Sequence, residues 1–348
     1  MTNISPQSWT GRMSPLGASL ALTGIVAVAA LLVWVGLGIA ELPKRPGPSD
    51  FDTYERVVTA LRGGQDYYWA LHQALLDGGY PTLSPLNWRP PVFLTFLSWF
   101  PTLGMGQMVL GALTAGAWAM GGAYAHRLGG IAGAVATGFV LALSLLSIVA
   151  PRAELSFELC AGTLILISVS AYGLGWRWVG IAAAVLALFV RELAAVYVIV
   201  CVLMAIRERR WREMLVWIVV IAAYGAFYLW HVSQTQALIG PADHAAREDW
   251  LQFGGLVFVL RTAAFNGLLL IAPDWIAGLV LIAGLVGLKG LPRPALTVAL
   301  YLLLFLAYGR PVNNYWGGLY APLVAFGLVW APGAMLALVR RATPPRSS

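Results

Sequence analysis

The amino-acid sequence predicts an all-α fold, a polytopic bundle of about ten transmembrane helices that makes one integral membrane domain of residues 1–348. Two observations support this prediction. The chain of 348 residues is 59% hydrophobic and only 11% charged, whereas soluble domains carry about 25% charged residues. The apolar residues also form long runs, such as ASLALTGIVAVAALLVWVGLGIA at 18–40. These runs lack the alternation of a transmembrane β-barrel, so helices are predicted.

The apolar segments are candidate spans because most of them approach the length that crosses a bilayer, about 20 residues. They lie at 17–40, 104–124, 130–149, 157–174, 178–190, 193–206, 214–230, 265–288, 295–308 and 318–338. The fifth and sixth are short and are separated by Arg191 and Glu192, so one longer span is the alternative there. Two short helices that meet at this charged turn fit the distribution of charges better.

The basic residues predict which loops are cytoplasmic. If the N-terminus is inside, the inside segments hold 12 of the 22 basic residues, and Glu208 and Glu213 are their only acids. This asymmetry satisfies the positive-inside rule. The inside basic residues are Arg12, Arg127, Arg177, Arg207, Arg209, Arg210, Arg212, Lys289, Arg293, Arg340, Arg341 and Arg346. With only two cysteines, the chain is expected to lie in a bacterial inner membrane with both termini cytoplasmic.

Polar sequence gathers in the loops that are predicted to face outward. The largest loop is 41–103, and a loop of about sixty residues usually carries function. The second is 231–264, and smaller charged patches surround Glu154, Asp274 and Arg310. We therefore expect one outer site that is assembled from distant parts of the chain.

Two amphipathic helices are predicted in the first outer loop. Ser49 followed three residues later by Asp52 is a capping-box pattern, and two glycines end a helix over 50–62. A second helix is predicted over 66–78. The segment NWRPPVFLTFLSWF then predicts an extended turn at Pro90-Pro91 and a short aromatic helix at the membrane interface.

Asp50 and Asp52 each allow a structural and a functional interpretation. Asp52 is either the cap of the helix or part of a site. Asp50 lies in the first helical turn, where an acid gains about 0.3–1 kcal/mol from the helix dipole, and an ionised carboxylate there can act as a general base. The spelling DFD also matches the D-x-D motif with which soluble nucleotide-sugar transferases hold a metal. Nucleotide sugars are not available outside the cytoplasm, so we expect no cofactor, and a divalent metal is the alternative.

The first outer loop resembles that of the GT-C superfamily of membrane glycosyltransferases, which use polyprenyl-phosphate-linked sugars as donors. The matching elements are Asp50-Phe51-Asp52-Thr53-Tyr54 after the first span, LRGGQDYY, and WRPPVFLTFL. The later segment LALFVRELAAVYVIV, with RERRW after it, is similar to the family's paired short spans. The resemblance implies a hexosyltransferase of mannosyltransferase type in which Asp50 is the base. Phe51 stands where some members have a second acid, so the roles of that acidic pair do not transfer to Asp52.

The resemblance also implies the partners: a polyprenyl-phosphate-linked sugar, a glycan or lipid acceptor and membrane lipids, but no nucleic acid. Sugar transfer needs a carboxylate that takes the acceptor's proton and cations that hold the leaving phosphate. Arginine binds phosphate in bidentate fashion, and Arg261 is one candidate. Glu154 and Glu158, four residues apart, would share a helix face and either anchor a sugar or cap a span. The expected substrate-binding residues are Asp52, Tyr54, Arg89, Glu154, Arg191, Glu192 and Arg310.

Two other classes of protein remain open. A transporter or flippase for a lipid-linked or small polar substrate is the first, and a non-catalytic membrane subunit of the same fold is the second. Transporters tend to show internal repeats and ionisable residues deep inside their spans. No convincing repeat is present here, and nearly every charge lies near the end of a predicted span, which favours the enzyme over the transporter.

Overall fold

The computed structural model describes residues 9–40, 48–245 and 252–343, apart from the side chain of Arg12. Within these residues the chain is helical and has no strand, which confirms the predicted all-α class. Four helices are long and apolar enough to cross a membrane, or five if a bent pair near the C-terminus is one span. This number is lower than the predicted count of spans. The long apolar helices indicate a membrane-embedded protein.

The described residues form fourteen α-helices, several of which are joined by short 3₁₀ segments. The α-helices are α1 Pro15–Leu37, α2 Asp50–Arg62, α3 Tyr67–Asp77, α4 Val92–Ser98, α5 Leu103–Ser144, α6 Phe157–Leu174, α7 Arg177–Val190, α8 Ala195–Arg207, α9 Trp211–Gln236, α10 Gly255–Ala264, α11 Asp274–Leu288, α12 Pro292–Ala307, α13 Ala321–Leu328 and α14 Ala331–Ala342. The predicted helices of the first outer loop are confirmed in α2, α3 and α4.

The helix α5 consists of two antiparallel halves. Gly129 and Gly130 leave the helical conformation, and the second glycine has a φ of 62°, which glycine adopts without a steric penalty. Gln107 near the start of α5 donates a hydrogen bond of 2.5 Å to the carbonyl oxygen of Ile148, just beyond its end. The chain therefore doubles back at the glycine pair, between the two segments that the sequence predicts there.

The helices α7 and α8 also form a hairpin. Arg177 at the start of α7 and Arg210 just after α8 both bridge to Glu213, at N–O distances of 3.5 and 2.7 Å. The start of α7 and the end of α8 therefore lie together on one side of the bundle. This arrangement agrees with two short helices that meet at Arg191, rather than with one span.

The two ends of the described chain meet on the side of the bundle where Glu213 lies. We call this side the basic end because Arg177, Arg210 and Arg293 gather there. Arg341 Nε donates a hydrogen bond of 2.7 Å to the carbonyl oxygen of Met13. The guanidinium of Arg293 lies over the ring of Tyr172, whose hydroxyl bonds Glu213. Lys289, four residues before Arg293, lies 4.3 Å from the ring centroid of Trp9, close to the start of α1. The helices α1 and α14 therefore both have an end here.

The other end of the bundle is built from the two predicted outer loops. We call it the cavity end because a cavity opens there. Tyr68 on α3 has its hydroxyl 3.0 Å from Nδ1 of His231 on α9. His72 Nε2 lies 2.8 Å from an oxygen of Asp243. The loops therefore contact each other, although residues 246–251 of the second one lie outside the described residues.

Two predicted spans differ from the structure. The span predicted over 265–288 is helical only from Asp274 onward, because a 3₁₀ turn over Gly267–Leu269 precedes α11. The span predicted over 318–338 is bent by 54° between α13 and α14. The first of these departures places non-helical backbone at the cavity end.

Glycines allow the 3₁₀ segment Pro311–Leu319 to pack directly against two helices. A Cβ atom on Gly162 in α6 would overlap with the carbonyl oxygen of Gly318. A Cβ atom on Gly317 would overlap with the carbonyl oxygen of Thr262 in α10. This close backbone approach holds the segment between α6 and α10 at the cavity end.

Substitution of Gly162 by alanine should destabilise the protein by about 1–3 kcal/mol, because the added methyl group displaces the backbone at Gly318. Gly111→Ala is the matched control, because that glycine of α5 faces open space and alanine favours helix. Thermal unfolding of both variants in one detergent measures the difference. Equal unfolding temperatures for the two variants would contradict the proposed packing.

Candidate functional site

A cavity of about 610 Å³ opens at the cavity end, within the size range of small-molecule sites. Its polar lining includes the carboxylates of Asp50, Glu158 and Asp274 and the guanidinium of Arg261. Its apolar lining comes from several elements and includes Phe51, Ala153, Leu155, Leu159, Phe265, Leu269 and Leu270. The cavity therefore combines a few charged groups with a largely apolar wall.

Asp50 reaches the cavity from the first turn of α2. The helix begins there because Ser49 caps it. Tyr80 donates a hydrogen bond of 2.5 Å from its hydroxyl to Oδ1 of Asp50. Tyr80 follows two glycines, and its ring occupies the space that a side chain on Gly78 would need. The predicted base thus lines the cavity with one of its oxygens fixed by a tyrosine.

Asp52 is the helix cap that the sequence offers as one alternative. Its Oδ2 accepts hydrogen bonds from the backbone nitrogen and the hydroxyl of Ser49, both at 2.7 Å, which completes a capping box. Its Oδ1 accepts a hydrogen bond of 2.5 Å from Arg152. Asp52 is not among the residues that line the cavity. Both of its oxygens serve local structure.

Four predicted site residues join Glu158 in one series of contacts, which we call the ionic chain: Tyr54, Arg89, Glu192, Arg191 and Glu158. Arg89 donates a hydrogen bond of 3.0 Å to the Tyr54 hydroxyl and lies 3.5 Å from Glu192. Arg191 bonds Glu192, and its Nε lies 2.7 Å from Glu158. The ionic chain thus links the first loop, the turn after α7 and the start of α6.

The ionic chain changes the expected roles of two arginines. Arg89 and Arg191 are buried and face carboxylates, so their charges are already compensated. Neither lines the cavity, whereas Tyr54 does. Burial raises the pKa of Tyr54 to about 12, against the opposing effect of Arg89, so its phenol stays protonated at neutral pH.

The expectation that Glu154 and Glu158 share one helix face is wrong. Glu154 lies in the 3₁₀ segment Ala153–Leu155, and a new helix begins after Ser156, whose side chain caps α6. The two carboxylates therefore belong to different elements. Glu158 lines the cavity, whereas Glu154 does not and has its backbone nitrogen bonded to Gln107.

The sequence places Arg310 among the expected substrate-binding residues, whereas in the structure Arg261 and not Arg310 lines the cavity. Arg310 precedes the 3₁₀ segment Pro311–Leu319 and is not part of the cavity lining. Arg261 on α10 does line the cavity, and its Nη2 donates a hydrogen bond of 2.5 Å to the carbonyl oxygen of Ala40. Arg261 is therefore the arginine that reaches this site.

The structure adds one further lining residue, Tyr315, and two residues that bind the aspartates of α2, Tyr80 and Arg152. Tyr80 binds Asp50, Arg152 binds Asp52, and Tyr315 lines the cavity beside Asn314. The sequence holds only faint signals for them, a tyrosine after a Gly-Gly helix stop and a polar segment after Arg310. Arg152 also has a φ of 65°, unusual for a residue with a side chain.

No set of three or more histidine, cysteine, aspartate or glutamate side chains is grouped to hold a metal within residues 9–40, 48–245 and 252–343. When the chain is compared with models of known families, with curated proteins and with solved structures, none matches.

The contacts of Asp52 predict a pH-dependent contribution to stability. The hydrogen bond from the Ser49 hydroxyl, followed by that from Arg152, holds the pKa of Asp52 well below its ordinary value of 3.8. Because the folded protein favours the ionised form, this stability is present above pH 3.8 and is lost as the pH falls through the lowered pKa. The wild-type protein should therefore unfold at a higher temperature than Asp52→Asn at pH 7, and the difference should shrink below about pH 4.

The measurement is the unfolding temperature of both proteins in one detergent between pH 7 and pH 2.5. Asp77→Asn is the matched control, because Asp77 is an exposed acid whose ion pair with Arg56 is long, at 3.8 Å. A difference between wild type and Asp52→Asn that is constant over this range would show that the Asp52 carboxylate does not act through its charge.

Proposed function

We propose that the protein is a membrane glycosyltransferase, a hexosyltransferase that moves a sugar from a polyprenyl-phosphate-linked donor to a glycan or lipid acceptor at the outer face of the membrane. The observation that carries the proposal is the cavity itself, where Asp50 shares a wall with Arg261 and with exposed apolar residues. A base, a phosphate-binding cation and a surface for a lipid chain are what this reaction requires.

Asp50 is the proposed general base. Its Oδ1 accepts the hydrogen bond from Tyr80, so Oδ2 remains available to take the proton from the acceptor hydroxyl as that oxygen attacks the sugar. The bond between the sugar carbon and the phosphate oxygen then breaks, and the phosphate leaves with the lipid chain. General-base catalysis of this kind contributes about 10²–10⁴-fold to the rate.

Arg261 is the proposed partner of the leaving phosphate. Within the described part of the chain no carboxylate lies within ion-pair distance of its guanidinium, and its buried Nε has no hydrogen-bond acceptor. Among the described residues, the hydrogen bond of the guanidinium is the one from Nη2 to the backbone carbonyl of Ala40. A guanidinium with unused donors suits a phosphate oxyanion, and its charge offsets the charge that develops on the leaving group.

The rim of the cavity supports a donor with a lipid chain. Leu270 lines the cavity and is 64% exposed, and the next residue, Ile271, is fully exposed. Val149 is also exposed, in the 3₁₀ segment that contributes Ser147 to the lining. Apolar side chains of this kind suit contact with acyl chains, so a prenyl chain can lie against the rim while its sugar reaches the cavity.

We also propose that the chain crosses the membrane ten times, with both termini cytoplasmic. The crossings would be α1, the two halves of α5, α6, α7, α8, α9, α11, α12 and the pair α13–α14. The support for this count is the return of α5 at its glycine pair and of α7–α8 at Arg191, together with the contact between Arg341 and Met13.

A transporter for the same class of substrate is the second candidate function. The ionic chain favours it, because Glu158 and Arg191 are buried between apolar helices, and ionisable residues in such positions often mark a substrate pathway. The two candidates differ in whether a sugar changes its carrier.

Replacement of Asp50 by asparagine should reduce sugar transfer by about 100-fold or more, because an amide cannot accept the proton. Transfer is measured in membrane vesicles with radiolabelled polyprenyl-phosphate hexoses and a cell-envelope glycan or lipid fraction as acceptor. Asp77→Asn, which changes an exposed acid at the end of α3, is the matched control and should keep wild-type activity.

Full activity of Asp50→Asn in properly inserted protein would show that another group is the base. Movement of the labelled donor across the vesicle membrane without any transfer would instead establish the transporter.

Single cysteines test the proposed crossings, because Cys160 and Cys201 are both buried. An impermeant thiol reagent should label Gln65→Cys, between α2 and α3, in intact cells. It should label His126→Cys, near the turn of α5, and Arg212→Cys, at the start of α9, only after the cells are permeabilised. Labelling of either of the latter two in intact cells would contradict the proposed topology.

A further inference from the structure

Glu158 is a buried carboxylate at the cavity that the proposed transfer step does not use. Its side chain is 6% exposed, yet it belongs to the cavity lining. Its Oε1 lies 2.7 Å from Nε of Arg191, whose side chain is 1% exposed. Burial of a carboxylate is costly unless the charge is paired. The arginine therefore makes it possible to keep this negative charge at the cavity wall.

A buried ion pair is weak evidence of a stabilising role, because apolar side chains of the same volume often stabilise a fold as well or better. Here Arg191 bonds Glu192 as well as Glu158, and Glu192 also faces Arg89, so the two arginines and two carboxylates balance one another. Within the described residues, the buried Oε1 of Glu158 has its ion-pair contact with Arg191 but no hydrogen bond of good geometry. This spare acceptor on the cavity wall points to a ligand.

Tyr54 supplies a hydrogen-bond donor to the same cavity that Glu158 lines. Its ring contacts that of Phe157, the residue before Glu158, at a centroid distance of 5.1 Å. Its oxygen accepts the hydrogen bond from Arg89, so its own hydrogen remains available to the cavity that it lines. A donor and an acceptor that line one cavity match a sugar hydroxyl, which both accepts and donates.

The charges of the cavity also favour a neutral group near Glu158. Among the described residues, three carboxylates line the cavity but only one arginine, Arg261, does. The cations closest to Glu158 belong to the ionic chain and are compensated by carboxylates. A phosphate beside Glu158 would be repelled, whereas an uncharged polyhydroxylated group would not.

We propose that Glu158 and Tyr54 form the subsite that binds hydroxyl groups on the sugar of the donor, and that Arg191 is the positioning residue that holds Glu158 against the cavity. This inference rests on the proposed function and adds to it the residues that distinguish one sugar from another. Glu158 accepts a hydrogen bond from one sugar hydroxyl, and Tyr54 donates one to an oxygen of the same sugar. A buried carboxylate left without that hydroxyl discriminates strongly against the wrong sugar.

The test is equilibrium binding to protein in lipid nanodiscs. The probes are a polyprenyl monophosphate and the same lipid carrying mannose, glucose or galactose. The wild-type protein should bind one of the glycosylated lipids more tightly than the bare phosphate. Glu158→Gln should weaken binding of that glycosylated lipid by about 10- to 100-fold, the range for a hydrogen bond to a charged group, and should leave binding of the bare phosphate unchanged.

Glu213→Gln is the matched control for the loss of a buried ion pair. Glu213 is as buried as Glu158 and also bridges arginines, but it lies at the basic end. The Glu213→Gln variant should leave the ratio of the affinity for the glycosylated lipid to the affinity for the bare phosphate at its wild-type value. Arg191→Lys should retain more of the sugar preference than Arg191→Gln, because it keeps a cation beside Glu158. A purely structural role of Arg191 would lower the yield without changing the ratio.

Tyr54→Phe keeps the test decisive if Glu158→Gln does not fold, because it removes only a hydroxyl group. It should also reduce the preference for the glycosylated lipid. The proposal is overturned if the wild-type protein shows no such preference, if Glu158→Gln behaves as Glu213→Gln does, or if folded Tyr54→Phe keeps the wild-type ratio. Binding needs no turnover, so an active Asp50→Asn variant would refute the proposed base without affecting this result.

Discussion

The ion pair between Arg191 and Glu158 is the contact on which the cavity end depends. Arg191 lies at the turn between α7 and α8, and Glu158 lies in the first turn of α6. Glu192 bridges Arg191 to Arg89 in the first loop. None of these charges can be buried alone without a large desolvation cost. The hairpin, α6 and the loop that carries Asp50 must therefore assemble together, and the cavity wall takes its shape from that assembly.

Local signals in the sequence predicted local structure well. The capping box at Ser49 and Asp52 and the glycines after each helix define α2 and α3, because these signals act within a few residues. Charge patterning predicted the turn at Arg191. The predicted segment 157–174 matches α6, but a helix face shared by Glu154 and Glu158 is excluded because Ser156 caps α6 and separates the two residues.

The composition of the site could not be predicted in the same way, because partners of charged residues come from distant segments. Nothing near Arg89 in the sequence shows that Glu192 will neutralise it, and nothing near Asp50 indicates Tyr80. The predicted span over 265–288, which includes Asp274, has the composition of a membrane span, but its first part is not a straight helix. It bends instead, because the side chain of Asn266 caps a 3₁₀ turn, and that bend creates the rim of the cavity.

The lengths of α7 and α8 have a consequence for the depth in the membrane at which the proposed reaction takes place. They contain 14 and 13 residues, so each is about 20 Å long, against about 30 Å for the hydrocarbon core of a bilayer. If they enter the membrane from the basic end, their charged turn lies well below the opposite lipid headgroups. In the proposed reaction, the acceptor would then descend several ångströms into the bilayer to meet Asp50. Local thinning of the membrane around this hairpin would ease that approach.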